Sequence, residues 1–157
     1  MRALVQRVTE ASVAIQSVRH SGIGPGILIF LGVRAGDDRS AASYLAERCA
    51  SLRMFEDAEG KMNRSVLDTG GAALVVSQFT LYGDTRKGNR PGFADAAGPA
   101  EAQELYEEFV RELRARIGDS NVATGVFRAA MQVQLVNDGP VTLMIETKEP
   151  TPLTKGT

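Results

Sequence analysis

The chain has 157 residues, a length typical of one domain; 43% of them are hydrophobic and 24% are charged. This composition excludes a disordered or collagen-like protein, and the longest apolar stretch, around residues 26–33, is too short to cross a membrane. The single cysteine excludes an internal disulfide bond, and a net charge of −1 argues against a protein that coats nucleic acid broadly. With no apolar leader segment at its start, the sequence predicts a soluble cytoplasmic protein.

The first third of the chain predicts three strands. Ala3–Val8 and Ser12–Gln16 are β-branched runs on either side of residues 9–11, a pattern typical of a hairpin that opens the chain. Ile27–Val33 is almost entirely apolar and predicts a strand buried in the centre of a sheet. These three runs predict that a sheet begins near the N-terminus.

A helix is predicted to follow, capped by Asp37 or Asp38 and ending at about Leu52. Leu45, Cys49 and Leu52 fall at positions i, i+4 and i+7, on one helix face. The cysteine is therefore predicted to be a small buried side chain rather than a reactive thiol.

The middle of the chain predicts a strand, a loop and a second main helix. Ala72–Tyr82 is a strongly β-forming run, and residues 84–98 form a polar stretch rich in Gly, Arg, Lys and Pro. Glu101–Ile117 is the clearest helix, with acidic residues in its first turns, basic residues in its last turns and Gly118 directly after it.

The last part of the chain predicts two strands, Met131–Val136 and Val141–Thr147, joined by a turn over residues 137–140. A tail that frays is predicted for residues 148–157. The whole pattern predicts one α+β domain with mixed or antiparallel sheets in a layered, barrel-like arrangement and two main helices.

The inventory of reactive side chains is small. The one histidine, His20, lies in a polar segment, residues 17–22, that predicts an exposed turn. The sequence contains no HExxH, GxSxG or P-loop motif. Any hydrolysis must therefore proceed without the usual side-chain groups.

Two segments break the local patterns, as functional sites often do. In the first, Ser77, Gln78 and Thr80 place polar groups on both faces of a strand that otherwise predicts burial. The pattern fits either a strand end that emerges into solvent or a strand end that lines a pocket.

The second segment is the turn that contains Asp138, Gly139 and Pro140. Asp-Gly between alternating strands is a strong hairpin signal, yet the proline that follows cannot donate a hydrogen bond to the sheet. The segment fits either a plain turn or a tight turn with a cis Gly-Pro bond.

These two segments resemble the motifs of the D-aminoacyl-tRNA deacylase family. They lie some sixty residues apart, and this spacing also matches that of the family. The resemblance extends over residues 1–147, and the tail, 148–157, lies outside it. The segments that carry it are Ser77–Leu81, Asn137–Thr142, Met1–Val8, residues 83–91 and residues 127–133.

The resemblance implies hydrolysis of the ester bond between a D-amino acid and the terminal adenosine of tRNA. It implies a homodimer with its pockets at the interface and the aminoacylated 3′ end of tRNA as the partner, without metal, cofactor, DNA or membrane. Gly139 and Pro140, joined by a cis bond and held by Arg7, are implied to enter the partner's pocket and select for chirality. The implied pocket residues are Ser77, Gln78, Phe79 and Thr80, acting mainly through backbone groups, supported by Phe127 and Met131.

Two details of the reaction stay open at this point. Backbone N–H groups near Phe79 and Thr80, with the 2′-hydroxyl of the adenosine, are the favoured catalytic groups; Thr80 as a nucleophile is the alternative. A pocket that rejects L-amino acids by steric exclusion cannot reject glycine, so glycyl-tRNA is predicted as a second substrate.

Two rival functions also remain. A non-catalytic tRNA-binding module would use Arg86, Lys87 and Arg90, the one dense basic cluster, which fits a solvated loop as well. A related editing enzyme with a trans Gly-Pro bond would clear L-amino acids instead.

Overall fold

A computed structural model describes residues 1–148; most of the predicted tail therefore lies outside the described residues. Within them the chain forms eight strands and three α-helices. In chain order these are β1 Arg2–Ile15, β2 Val18–Ile23, β3 Gly26–Gly32, α1 Arg39–Ser51, β4 Phe55–Glu56, β5 Met62–Arg64, α2 Val66–Thr69, β6 Ala72–Ser77, α3 Pro99–Ile117, β7 Val122–Thr124 and β8 Gln132–Glu146. None of these helices is long and apolar enough to span a membrane.

The opening hairpin forms later in the chain than predicted. β1 runs without a break through residues 9–11, because β8 pairs with it along almost its whole length. The chain turns instead at Gln16 and Ser17, whose φ angles of 50° and 64° fit the two-residue turns that join twisted strands. The predicted polar turn at residues 17–22 is also wrong, since β2 occupies it; His20 is exposed, as expected.

The main sheet is mixed and nearly closes into a barrel. β1 is antiparallel to β3 through its first half and to β2 through its second half, whereas β3, β6 and β7 run parallel to one another. The Ser21 hydroxyl on β2 donates to the Thr124 carbonyl on β7 at 2.7 Å, which brings the two ends of the sheet together. β8 covers the other edge of β1.

The apolar run of β3 is explained by burial on both faces. Ile29 packs in the core between the sheet and the helices, together with Leu45 of α1 and Phe109 of α3. Leu28, on the opposite face, packs inside the barrel with Leu74 of β6. A strand with two covered faces shows no alternation of polar and apolar residues.

Both main helices form where the sequence predicts them. Asp38 caps α1 by accepting from the Ala41 N–H at 3.0 Å, and Cys49 is buried in the helix-side core. α3 begins with Pro99 and ends before Gly118, whose φ is 99°. The one-turn helix α2 was not predicted.

At one end of the barrel, β3 and β6 approach so closely that only glycine fits. A Cβ atom on Gly26 would lie 1.9 Å from the carbonyl oxygen of Ala72, its partner in the ladder. This contact starts the parallel pairing that continues to Leu31 and Ser77 at the other end.

The predicted strand Ala72–Tyr82 ends early, at Ser77. The chain then forms a 3-10 helix over Phe79–Tyr82. The polar residues that interrupted the apolar pattern mark this change of direction.

The two predicted C-terminal strands form a single strand, β8, so the predicted turn between them is wrong. Gln6 on β1 pairs with Thr142 on β8, and Val8 pairs with Asn137. Between these two pairs β1 advances by two residues and β8 by five. Asp138, Gly139 and Pro140 therefore form a bulge in a continuous strand. Both flanks pair with the same partner, β1, which a local hairpin signal cannot reveal.

Candidate active site

A cavity of about 610 Å³ opens where β6 ends. Ser77, Gln78 and Phe79 line it from the end of the strand, and Phe127 and Met131 line it from the segment after β7. The Gln78 N–H donates to the Leu31 carbonyl at 2.8 Å, so the ladder of β3 fixes where the strand end points. Five of the predicted pocket residues thus surround one cavity.

Two aromatic rings lie at the mouth of the cavity. Phe79 is 55% exposed and meets Phe93 edge to face, with 5.1 Å between the ring centroids. Phe93 was missed in the sequence, where it lay inside a stretch read as a polar loop. A lone aromatic residue among polar ones was the available signal.

Thr80 lies beside the cavity rather than in its lining. Its hydroxyl oxygen accepts from the Gln78 side-chain amide, and its side chain is exposed. Within residues 1–148, no acceptor bonds the backbone N–H groups of Phe79 and Thr80. Two adjacent main-chain donors are therefore available next to the cavity.

β1 holds the far end of this 3-10 helix. Nη1 of Arg2 donates to the Leu81 carbonyl at 2.8 Å, and its guanidinium group lies 4.5 Å from the centroid of the Tyr82 ring. The position of the two free N–H groups is thus fixed from both ends of the turn.

Phe127 and Met131 are positioned by contacts behind them. The hydroxyl of Tyr106, on α3, donates to the Val75 carbonyl at 2.9 Å, and its ring lies 5.9 Å from that of Phe127. Burial raises the pKa of Tyr106 to about 12, so its hydroxyl keeps its proton. A Cβ atom on Gly125 would lie 2.6 Å from the Met131 sulfur, so this glycine leaves room for the methionine.

Among the described residues that line the cavity, no side chain could act as a general base at neutral pH. Of the described residues that line it, Arg128 is the one that carries a charge. Cys49 lies in the core, where burial raises its pKa to about 12, and His20 lies on β2. Within residues 1–148, no three His, Cys, Asp or Glu side chains are arranged to hold a metal ion.

The bulge of β8 lies at the other end of the barrel. Arg7, which is 7% exposed, donates from Nε to the Asp138 carbonyl at 2.9 Å and from Nη1 to the Met54 carbonyl at 2.8 Å. Asn137 closes the bulge, since its Oδ1 accepts from the Val141 N–H at 3.0 Å. The Gly139–Pro140 peptide bond is cis, and both residues are exposed.

Within one chain, the bulge and the cavity are therefore separate. Arg7 pairs with Ile27 at the start of β3, whereas Ser77 pairs with Leu31 near its end. Four residues of strand correspond to roughly 13 Å. Gly139 and Pro140 do not line the cavity of their own chain.

The basic cluster lies on an exposed loop between Asp84 and Gly92, which pair at its base. The guanidinium group of Arg86 binds the Asp84 carboxylate at 2.8 and 2.9 Å, and this contact lowers the pKa of Asp84 to about 2. Among the described residues, Lys87 and Arg90 have no such acidic partner. The loop leads directly to Phe93 at the cavity mouth.

Comparison with known proteins gives consistent matches along the chain. Residues 4–146 match the family model described as D-Tyr-tRNA(Tyr) deacylase. The D-aminoacyl-tRNA deacylase of Thermomicrobium roseum is 58% identical over 149 residues, covering 95% of this chain and 96% of the relative. That of Salinibacter ruber is 57% identical over 148 residues, covering 94% and 98%.

Two solved structures share the fold. One, described as a c-Myc DNA Unwinding Element Binding Protein, has a TM-score of 0.90 and 40% identity, with 94% of this chain and 99% of the other covered. The second, described as "Structural Analysis of a probable eukaryotic D-amino acid tRNA deacylase", has a TM-score of 0.80 and 16% identity, with 93% and 98% covered. At that identity, the second match shows the fold alone.

Proposed function

Because the chain belongs to the D-Tyr-tRNA(Tyr) deacylase family and hydrolyses the ester bond of D-aminoacyl-tRNA, we propose that the cavity at the end of β6 is its active site. The terminal adenosine of the tRNA and its D-aminoacyl group bind there. The observation that carries this assignment is the convergence of Ser77, Gln78 and Phe79 with Phe127 and Met131 around one cavity of about 610 Å³.

The exposed ring of Phe79 suits a nucleobase. Aromatic side chains hold unpaired bases by stacking, which is the usual way in which proteins bind the single-stranded ends of RNA. Phe93 supports the ring of Phe79 from its edge and keeps it at the cavity mouth. The adenine base stacks on Phe79, and the ribose with its ester enters the cavity.

Main-chain groups stabilise the reaction. Water attacks the ester carbonyl carbon, the C–O bond to the ribose breaks, and the products are a free D-amino acid and tRNA with a restored 3′-hydroxyl. The free N–H groups of Phe79 and Thr80 donate to the oxyanion that forms during the attack. Since none of the described lining residues can serve as a base, the 2′-hydroxyl of the substrate assists proton transfer.

Chirality is read by a second copy of the chain. We propose a homodimer in which the bulge with Gly139 and Pro140 enters the partner's cavity and blocks the side on which an L-side chain would project. Two observations support it: the bulge lies away from the cavity of its own chain, and β8 exposes Val136, Leu143 and Met144. A steric filter of this kind admits glycine, so glycyl-tRNA is a second substrate. The enzyme acts in the cytoplasm, where tRNA is charged.

Mixed dimers test this arrangement. A cavity variant, Phe79→Ala, inactivates the cavity, and a bulge variant, Gly139→Val, inactivates the bulge. The second variant distorts the bulge because a Cβ atom on Gly139 would lie 2.8 Å from the Val141 side chain. If the bulge serves the partner's cavity, random mixing restores about a quarter of wild-type activity, because each heterodimer then holds one intact site. No gain on mixing would show that each chain uses its own bulge, and an active Gly139→Val homodimer would show that the bulge serves neither cavity.

Nucleic-acid binding apart from hydrolysis is the second candidate function, and the solved structure described as binding a DNA element favours testing it. The two functions separate by turnover: trace amounts of the protein should hydrolyse an excess of D-tyrosyl-tRNA and leave L-tyrosyl-tRNA intact. Binding without turnover would support the second candidate, and faster hydrolysis of the L-ester would support an enzyme that clears L-amino acids.

A further inference from the structure

Arg128 lines the active-site cavity with an unusual backbone conformation. Its φ of 65° lies in the left-handed region, which residues with a side chain rarely occupy. The other described non-glycine residues with positive φ, Gln16 and Ser17, form the tight turn between β1 and β2. Arg128 is the third residue of a turn over Val126–Ala129, closed by the Ala129 N–H, which donates to the Val126 carbonyl at 3.2 Å. Glycine or asparagine usually occupies such a position, so this turn carries an arginine into the cavity lining at a conformational cost.

The guanidinium group of Arg128 is available for a ligand. The side chain is exposed, and no hydrogen bond or ion pair engages it within residues 1–148. Two exposed arginines elsewhere show the alternative, an ion pair: Arg86 binds Asp84 and Arg39 binds Glu104. Since none of the described residues that line the cavity is acidic, no carboxylate among them neutralises the charge of Arg128.

The proposed substrate, on which this inference rests, carries an anion close to the ester. The terminal adenosine is joined to the preceding nucleotide through a phosphodiester on its 5′ oxygen, whereas the aminoacyl end carries a positively charged α-ammonium group. A guanidinium group would repel the ammonium group and can bind two phosphate oxygens at once. We propose that Arg128 binds the phosphodiester 5′ to the terminal adenosine and so positions the ester in the cavity.

Two small substrates test this contact without the rest of the tRNA. One is adenosine that carries a 3′-D-tyrosyl ester, and the other is the same compound with a 5′-phosphate. The wild-type protein should show a kcat/KM about tenfold or more higher for the phosphorylated compound, the usual effect of a charge-assisted hydrogen bond. In Arg128→Ala that ratio should fall to near one, and Arg128→Lys should retain part of it.

Two further variants separate the effect of the Arg128 charge from that of its backbone conformation and from the general effect of losing a surface arginine. Arg128→Gly suits a left-handed conformation and removes the guanidinium group, so it should lose the preference for phosphate as Arg128→Ala does. Arg48→Ala removes an exposed arginine on α1, outside the cavity, and should keep the wild-type ratio.

The outcomes are distinct. Equal kcat/KM values for the two compounds in the wild-type protein would overturn the role of Arg128 and leave the proposed function standing. A selective loss of D-aspartyl ester hydrolysis in Arg128→Ala, with the phosphate ratio unchanged, would overturn it too, because Arg128 would then bind the amino-acid side chain. Hydrolysis of neither compound nor of D-tyrosyl-tRNA would overturn the proposed function and this contact together.

Discussion

Nε of Arg7 donates to the main-chain carbonyl of Asp138 over 2.9 Å, and this buried guanidinium group also binds the Met54 carbonyl. The Asp138 carboxylate lies 3.5 Å from the same Nε but is about half exposed. The main-chain contacts therefore hold the bulge of β8, and the ion pair adds little to them.

Arg7→Ala should lower the free energy of unfolding by about 2–3 kcal/mol, because two carbonyls lose a charged donor. It should also weaken the preference for D-tyrosyl-tRNA over L-tyrosyl-tRNA, since the bulge is no longer held. Urea denaturation and the ratio of the two hydrolysis rates measure these effects. Asp138→Asn keeps the carbonyl and should behave like the wild type; an equally large effect of that variant would assign the role to the carboxylate instead.

Thr80→Ala and Thr80→Val should keep substantial hydrolysis of D-tyrosyl-tRNA, because backbone N–H groups and the substrate 2′-hydroxyl are proposed to carry the reaction. No described side chain near Thr80 can activate its hydroxyl, which accepts from the Gln78 amide. Single-turnover rates measure the chemical step directly. Loss of a true nucleophile costs many orders of magnitude, and a loss of that size in both variants would make Thr80 the nucleophile.

The loop between Asp84 and Gly92 should bind tRNA mainly through Lys87 and Arg90. Neutralising all three basic residues should weaken tRNA binding and flatten its dependence on salt. Since Arg86 is already bound to Asp84, we expect Lys87→Ala with Arg90→Ala to account for most of the change, at roughly one unit of salt slope for each lost phosphate contact. An unchanged slope in the triple variant would place the tRNA contact elsewhere.

The Arg86–Asp84 pair should persist across the pH range of such binding experiments. Its carboxyl pKa is lowered to about 2, so the pair is complete above the ordinary Asp pKa and is lost only as the pH falls through about 2. NMR titration of the Asp84 carboxyl carbon checks this, and a midpoint near 4 would mean that Arg86 is free to bind phosphate.

Gly125→Ala should reduce activity with little loss of stability. The new methyl group would displace the Met131 sulfur, which is the flexible end of a side chain and can move into the cavity. We expect a higher KM for D-tyrosyl-tRNA with a nearly unchanged melting temperature. Adding Met131→Ala should remove the clash and recover part of the affinity; if it does not, the glycine matters for its backbone.

The sequence predicted elements with strong local signals and missed those that long-range pairing decides. The helix that ends before Gly118 and the strand that begins near Ile27 were identified from apolar spacing and capping residues. The Asp138–Pro140 bulge was read as a hairpin turn, because pairing of both flanks with β1 cannot be detected locally. Five residues that line the cavity were among the predicted pocket residues, but Phe93 was not, since only folding brings its loop to the cavity.

The contact of Gly26 with Ala72 lets a distant position determine the geometry of the proposed catalytic groups. Ser77 follows Ala72 by five residues, or roughly 17 Å of strand, and its place opposite Leu31 depends on how the two strands start. A methyl group at position 26 has no space and would force β3 and β6 apart or out of step. The N–H donors after Ser77 would then shift relative to the cavity wall, so a change far from the proposed substrate site should abolish hydrolysis while every proposed catalytic residue stays intact.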